Sequence, residues 1–348
     1  MKTTKNVQID IMRAMGIILM VLGHSHCPGT YYIYMFHMAL FFMISGYCYN
    51  TKRADDGKSL VTYFWDKLKR LYIPFIVFNT LLIVIDNFLF ERGLVYKDFV
   101  NLFVEGLKMN PGSTLSGAFW FIKILFLLLL TYAIFDFVIK KISYIKAHPL
   151  ITHSVLSVIM LVCGFVCYLK GIRLYDFDKV LSFYILFHIG RIIKEKIHFN
   201  MSHIKRVLVM VFSTLVICVC RQFGEIELGA NEYVDPIFLL ITSISGWLLI
   251  YEMSYYLSLV KVLNTILKII GNNTMSVMVF HFLCFKGVTY LQMHIYDLPQ
   301  SAISAFPVLY NMPLWWLVYT IVGLSIPIAT SLLYKKYIIK NNIGDIKV

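Results

Sequence analysis

Ile9-Asp-Ile-Met-Arg13-Ala-Met-Gly-Ile-Ile-Leu-Met-Val-Leu-Gly-His24 is an apolar run of one helix length with an ionisable side chain near each end. At ~100° per residue, eleven steps turn a helix through ~1100°, so Arg13 and His24 project from one face, roughly 16 Å apart along the axis. His26, two steps further on, points about 200° away from that stripe. Ionisable groups inside a bilayer are costly unless they line a cavity or find partners. The stripe therefore predicts a wet path through part of the membrane. A blander reading has Arg13 snorkelling to the headgroups beside Asp10, its i,i+3 partner, and His24 as an interfacial histidine.

The rest of the chain agrees with a membrane setting. Its 348 residues are 59% apolar and only 15% charged, with a mean hydropathy of +0.73, far outside soluble usage. Apolar windows of about twenty residues fall near 8–26, 31–50, 71–90, 118–139, 150–169, 177–193, 205–222, 236–258, 274–291 and 313–334. The expected fold is an all-α polytopic bundle of about ten spans in a single domain, 1–348. Of the Lys and Arg in the loops and at the span ends, 22 fall on the side of the N-terminus and 8 on the other, which places both termini in the cytoplasm. The net charge of +13 then reports basic cytoplasmic loops and no nucleic-acid partner. No removable signal peptide is expected, because the first run carries Asp10 and Arg13 and lacks a small-residue cleavage site. The weakest spans are the sixth, interrupted by Asp178 and Lys179, and the region around Ile270-Gly-Asn-Asn-Thr274, a helix break or a cap. The seven cysteines lack metal-ligand spacing, and no metal is expected; Cys163 and Cys167 read as a packed pair.

Further candidates follow along the chain. In Phe36-His-Met-Ala-Leu-Phe-Phe-Met-Ile-Ser-Gly46, Ser45-Gly46 allows close backbone approach, and His37 lies near the same membrane face as His24. An imidazole can take the proton of an attacking hydroxyl, and a second can orient it or stabilise developing charge; two helix-capping histidines would look the same. Lys67, Lys69 and Arg70 stand at the mouth of the third span. Trp120 and Lys123 open the fourth and read equally as a belt aromatic and a snorkelling lysine. Asn272, Asn273 and Thr274 offer capping groups, with His281 about two turns on.

Asp10-x-x-Arg13, Arg13-x10-His24, the Phe36 to Gly46 run, Arg70-Leu-Tyr-Ile-Pro74, Trp120-Phe121 and Ile270-Gly-Asn-Asn-Thr-Met-Ser-x-x-x-Phe-His281 together resemble acyltransferase family 3, polytopic bacterial enzymes that O-acylate glycans and other acceptors. Each motif is weak alone; their ordered succession is specific. Ala39 replaces a frequent proline, which should alter the second helix locally. The fused SGNH hydrolase-like domain of some members is missing from these residues, so transfer is expected within the membrane part.

The resemblance implies His24 as the catalytic histidine and Arg13 as a contact of the acyl-donor path, and it strengthens Arg70 as a phosphate contact. Coenzyme A suits that geometry: its phosphates are cytoplasmic, and its pantetheine arm is long enough to cross a good part of a leaflet. The expected activity is transfer of an acyl group, most simply acetyl from acetyl-CoA, to a hydroxyl of a surface glycan or its lipid-linked precursor, in the bacterial cytoplasmic membrane. His37 is expected to assist, Asp10 and Ser45 to support the site, and His281 to make a structural hydrogen bond across the bundle. The rival reading is a transporter of a small anionic or glycosidic solute. The lack of internal repeats and of paired Gly/Pro-broken helices weighs against it.

Overall fold

A computed structural model describes residues 6–197, 199–309 and 313–339. α1 (Val7–His24) starts on Asn6, whose side chain accepts from the Gln8 N–H, and ends where Ser25 leaves helical geometry. The short α2 (Thr30–Tyr34) turns the chain, and α3 (His37–Tyr47) returns it. α4 (Gly57–Lys67) and α5 (Ile73–Leu89) run on through a π-helical turn, Leu68–Tyr72. Pro74, in the first turn of α5, lacks the N–H that would continue the regular ladder, which accounts for that turn. After α6 (Tyr96–Leu107) come α7 (Trp120–Lys141), α8 (Pro149–Leu169), α9 (Phe177–Lys196) and α10 (His203–Cys220). A two-stranded hairpin, β1 (Ile226–Glu227) with β2 (Glu232–Tyr233), precedes α11 (Pro236–Leu259), α12 (Lys261–Gly271), α13 (Thr274–Ile295) and α14 (Trp315–Tyr334).

Every apolar window of the sequence holds a helix. Eight helical segments are long and apolar enough to cross a membrane. The second and sixth windows fall short of that measure: α3 has 11 residues, and α9 is charged at both ends. These two form the centre of the bundle. A Cβ on Gly46 would stand 1.8 Å from the Phe187 carbonyl oxygen, and one on Gly190 1.9 Å from that of Met43. Only glycine lets the two backbones lie this close, the small-residue packing expected of helices in lipid.

Asp178 and Lys179 do not break the sixth window. Both are buried within α9; Asp178 accepts from Asn231 Nδ2 at 3.3 Å, and Lys179 pairs with Asp176 at 2.7 Å. Paired polar groups are tolerated where unpaired ones would not be. The 270–274 segment is a true break, between α12 and α13, and Gly271 packs on the Asp10 carbonyl. Cys163 is exposed on α8, so it does not form a packed pair with Cys167.

Asn273 Oδ1 accepts from Ser331 Oγ and Lys335 Nζ of the last helix. The described chain thus begins and ends on the Arg13 side of the bundle. On that side Asp136 of α7 is fully buried and takes Arg191 at 2.9 Å, Lys140 at 3.0 Å and His153 at 3.2 Å. Arg191→Leu removes the guanidinium from this buried carboxylate and leaves it only Lys140 and His153, so it should cost up to about 3 to 5 kcal/mol. A detergent-solubilised thermal melt checks this, and an unchanged Tm would mean that Lys140 and His153 suffice.

Candidate active site

Arg13 and His24 stand at the two ends of α1 as the spacing predicts, and Arg13 pairs with buried Asp10 at 3.2 Å. The stripe between them is closed. Gly16, Ile17 and Met20 are buried, and the Phe41 ring lies against Gly16, where a Cβ would meet it at 2.9 Å. The expected wet path is therefore shut by an aromatic ring and a flexible thioether, which a donor chain would have to displace.

His24 does not stand alone. Its Nδ1 lies 3.0 Å from His281 Nε2, with the two rings stacked at 12°. The Nδ1 of His281 is 3.0 Å from both the Val277 and Met278 carbonyls. A carbonyl only accepts, so His281 Nδ1 must carry the proton and donate. Its Nε2 is then an acceptor, and His24 Nδ1–H donates to it. By the same logic the lone pair of neutral His24 is on Nε2, the nitrogen free to take a proton. The polarity of the chain is fixed by helix backbone, without any carboxylate.

His24 borders a small chamber of about 60 Å³, lined also by His37, Tyr34, Trp120, Glu227, and Met20, Met38 and Met278. His37 shares this chamber without bonding to His24. Its Nδ1 is 2.9 Å from the Ile33 carbonyl, so Nδ1–H is spent and Nε2 accepts. His37 is thus suited to holding a hydroxyl, and in this tautomer it cannot stabilise negative charge. The side chains of Tyr34 and Trp120, in contrast, are hydrogen-bond donors with no partner among the described residues. Trp120 belongs to the site and not only to an aromatic belt. Lys123 does not snorkel; it is buried and bonds Asn110 and Asp176.

The other predicted residues are dispersed. Arg13 Nη2 reaches Cys48 Sγ at 3.1 Å, and both Cys48 and Arg70 are electrostatic neighbours of Lys67. Arg13 and Arg70 therefore share one corner of the bundle, remote from His24. Ser45 turns to its own helix, donating to the Phe41 carbonyl at 2.8 Å, and takes no part in the chamber. The sequence paired His24 with His37; the structure pairs it with His281. No local spacing relates positions 257 residues apart.

The acyltransferase-domain family, acyltransferase family 3, matches residues 6–332, nearly the whole chain. The chain belongs to this family. No curated protein and no solved structure matches it significantly. A membrane acyltransferase handles an acyl donor and an acceptor, and the His24–His281 pair is the candidate base. His281→Phe keeps the stacked ring but deletes the acceptor of His24 Nδ1–H. It should lower kcat by about 10²-fold or more with little change in KM. His281→Gln, with an acceptor oxygen, should recover part of the loss; equal loss in both at an unchanged Tm would refute the tautomer argument.

Proposed function

We propose that this protein is an O-acyltransferase, specifically an O-acetyltransferase, that carries acetyl from cytoplasmic acetyl-CoA to a hydroxyl of a cell-surface glycan or its lipid-linked precursor in a bacterial cytoplasmic membrane. The observation that carries the reading is the oriented His24–His281–Val277 hydrogen-bond chain beside an enclosed chamber, in a chain of an acyltransferase family. At about 60 Å³ the chamber has room for about four to six water-sized volumes. That suits a short acyl group and not a fatty one.

In this scheme Arg13 and Arg70 hold the donor phosphates at the cytoplasmic end, Asp10 keeps Arg13 in place, and the pantetheine arm extends past Phe41 toward His24. His24 Nε2 takes the proton of the acceptor hydroxyl as its oxygen attacks the thioester carbon. The oxyanion is met by the Tyr34 and Trp120 donors. The C–S bond then breaks, and the departing thiolate takes the proton from His24, giving the ester and CoA thiol. His37 Nε2 holds the acceptor hydroxyl beforehand.

The test is acetyl-CoA-dependent release of free CoA by the purified protein in liposomes, with His24→Ala as comparison. Release lost in the variant supports the reading. Solute flux without turnover on any acyl-CoA would replace it with transport.

A further inference from the structure

The His24 chamber shares a wall with a second, larger cavity. Tyr34, Ile226 and Glu227 line both. The larger cavity, about 770 Å³, is bounded also by Tyr31, Trp316, Arg221 and Glu225, and its volume is that of a small-molecule site. It lies at the His24 end of α1, opposite the Arg13 corner.

The charges of this vestibule do not cancel. Arg221 is committed to Glu225 at 2.7 Å and lies over the Tyr31 ring at 5.0 Å. Glu227 accepts at Oε1 from the Gly229 N–H at 3.0 Å, and its other oxygen has no partner among the described residues. It faces the vestibule, yet packing on its other sides disfavours the charged form and raises its pKa. The hairpin that carries it is pinned to α9: Tyr233 Oη donates to Ser182 Oγ at 3.0 Å, and Asn231 to Asp178 at 3.3 Å. The buried Asp178 inside α9 thus fixes the loop that carries Glu227.

Aromatic faces beside a fixed hydrogen-bond acceptor fit a pyranose ring, which presents C–H groups on its faces and hydroxyl donors on its rim. Once ionised, above that raised pKa, the unbalanced carboxylate repels a sugar acid or phosphate sugar. We propose that the vestibule binds a neutral sugar unit of the acceptor, and that Glu227 accepts from a neighbouring hydroxyl of that unit so that its reacting hydroxyl faces His24. This rests on the acyltransfer reading above for its chemistry, but not for the binding.

Saturation-transfer NMR on the protein in nanodiscs, with maltotriose, chitotriose and trigalacturonate as probes, tests the proposal without any donor. The expected result is binding of a neutral trisaccharide and none of trigalacturonate. Glu227→Gln should weaken neutral binding about tenfold and admit trigalacturonate. Tyr31→Ala, at a side chain 63% exposed and so harmless to folding, should weaken neutral binding as well. Once an acceptor turns over, Glu227→Gln should raise its KM more than it lowers kcat. Failure of both neutral sugars to bind, or binding equal in wild type and both variants, overturns the proposal even if CoA release is normal. Sugar binding without CoA release leaves the vestibule standing and sinks the acyltransfer reading alone.

Discussion

His24→Ala leaves a folded protein whose acyl transfer falls by about 10³-fold or more, to the background of the assay. Folding should survive because His24 is the last residue of α1 and only half-buried, and its ring is held by His281 and Phe282 and not by a closed ionic network. Activity should not survive. The methyl group of alanine has no lone pair, and His281, although its Nε2 is an acceptor, is held by its Nδ1–H to two backbone carbonyls and does not line the chamber. The paired measurement is CoA release beside a thermal melt. Transfer at wild-type rate in the variant would remove His24 from the chemistry. His24→Gln would separate the roles: it can hold a hydroxyl but cannot accept its proton at neutral pH, so it should bind acceptor and still fail to transfer.

Gly190→Ala, with Gly46→Ala, is expected to be among the most damaging single methyl groups at the described positions. A carbon and a carbonyl oxygen meet at roughly 3.3 Å, whereas the new Cβ would sit 1.9 Å from the Met43 oxygen. Both atoms belong to the two central helices, so no side chain can rotate away. α3 and α9 would have to separate by more than an ångström, which loosens the wall that holds His37 and Phe41. The loss should exceed about 3 kcal/mol and show as aggregated or absent protein on size-exclusion chromatography of the solubilised variant. Gly287→Ala, at a position with open space around it, is the matched control and should behave as wild type. Equal elution and Tm for the two variants would refute the claim that α3 and α9 require this contact.

These two expectations differ in what made them visible. His24 was legible because helical periodicity is a local property: Arg13 and His24 share one segment, and a 3.6-residue repeat relates them without knowledge of any neighbour. The helices were legible for the same reason, since hydrophobic length is summed along the chain. α9 was the doubtful case, because hydropathy counts the charges of Asp178 and Lys179 without seeing the partners that neutralise them. Likewise Ser45-Gly46 announced a close approach, but not its partner, the Phe187 carbonyl.

The site divides along the same line. His281 was expected to make a hydrogen bond across the bundle, but its partner was invisible, because which residue of α1 meets α13 depends on how the bundle closes and leaves no mark on either local pattern. His37 looked like the better partner because its segment follows α1 directly. Its proton goes instead to Ile33, one turn back in its own chain. No motif or spacing in the sequence marks Glu227; only the anchoring of β1 and β2 on α9 brings it into the wall of the His24 chamber.

By itself the sequence determined the all-α membrane class, the order of the helices and the Arg13–His24 stripe, which rest on composition, periodicity and spacing within segments, and its ordered succession of motifs carried the resemblance to the family. The tertiary structure alone decided which nitrogen of His24 is free, that Phe41 shuts the stripe, and that one carboxylate joins the chamber to the vestibule. Those depend on contacts between residues far apart in the chain, where distance is set by packing and not by sequence separation.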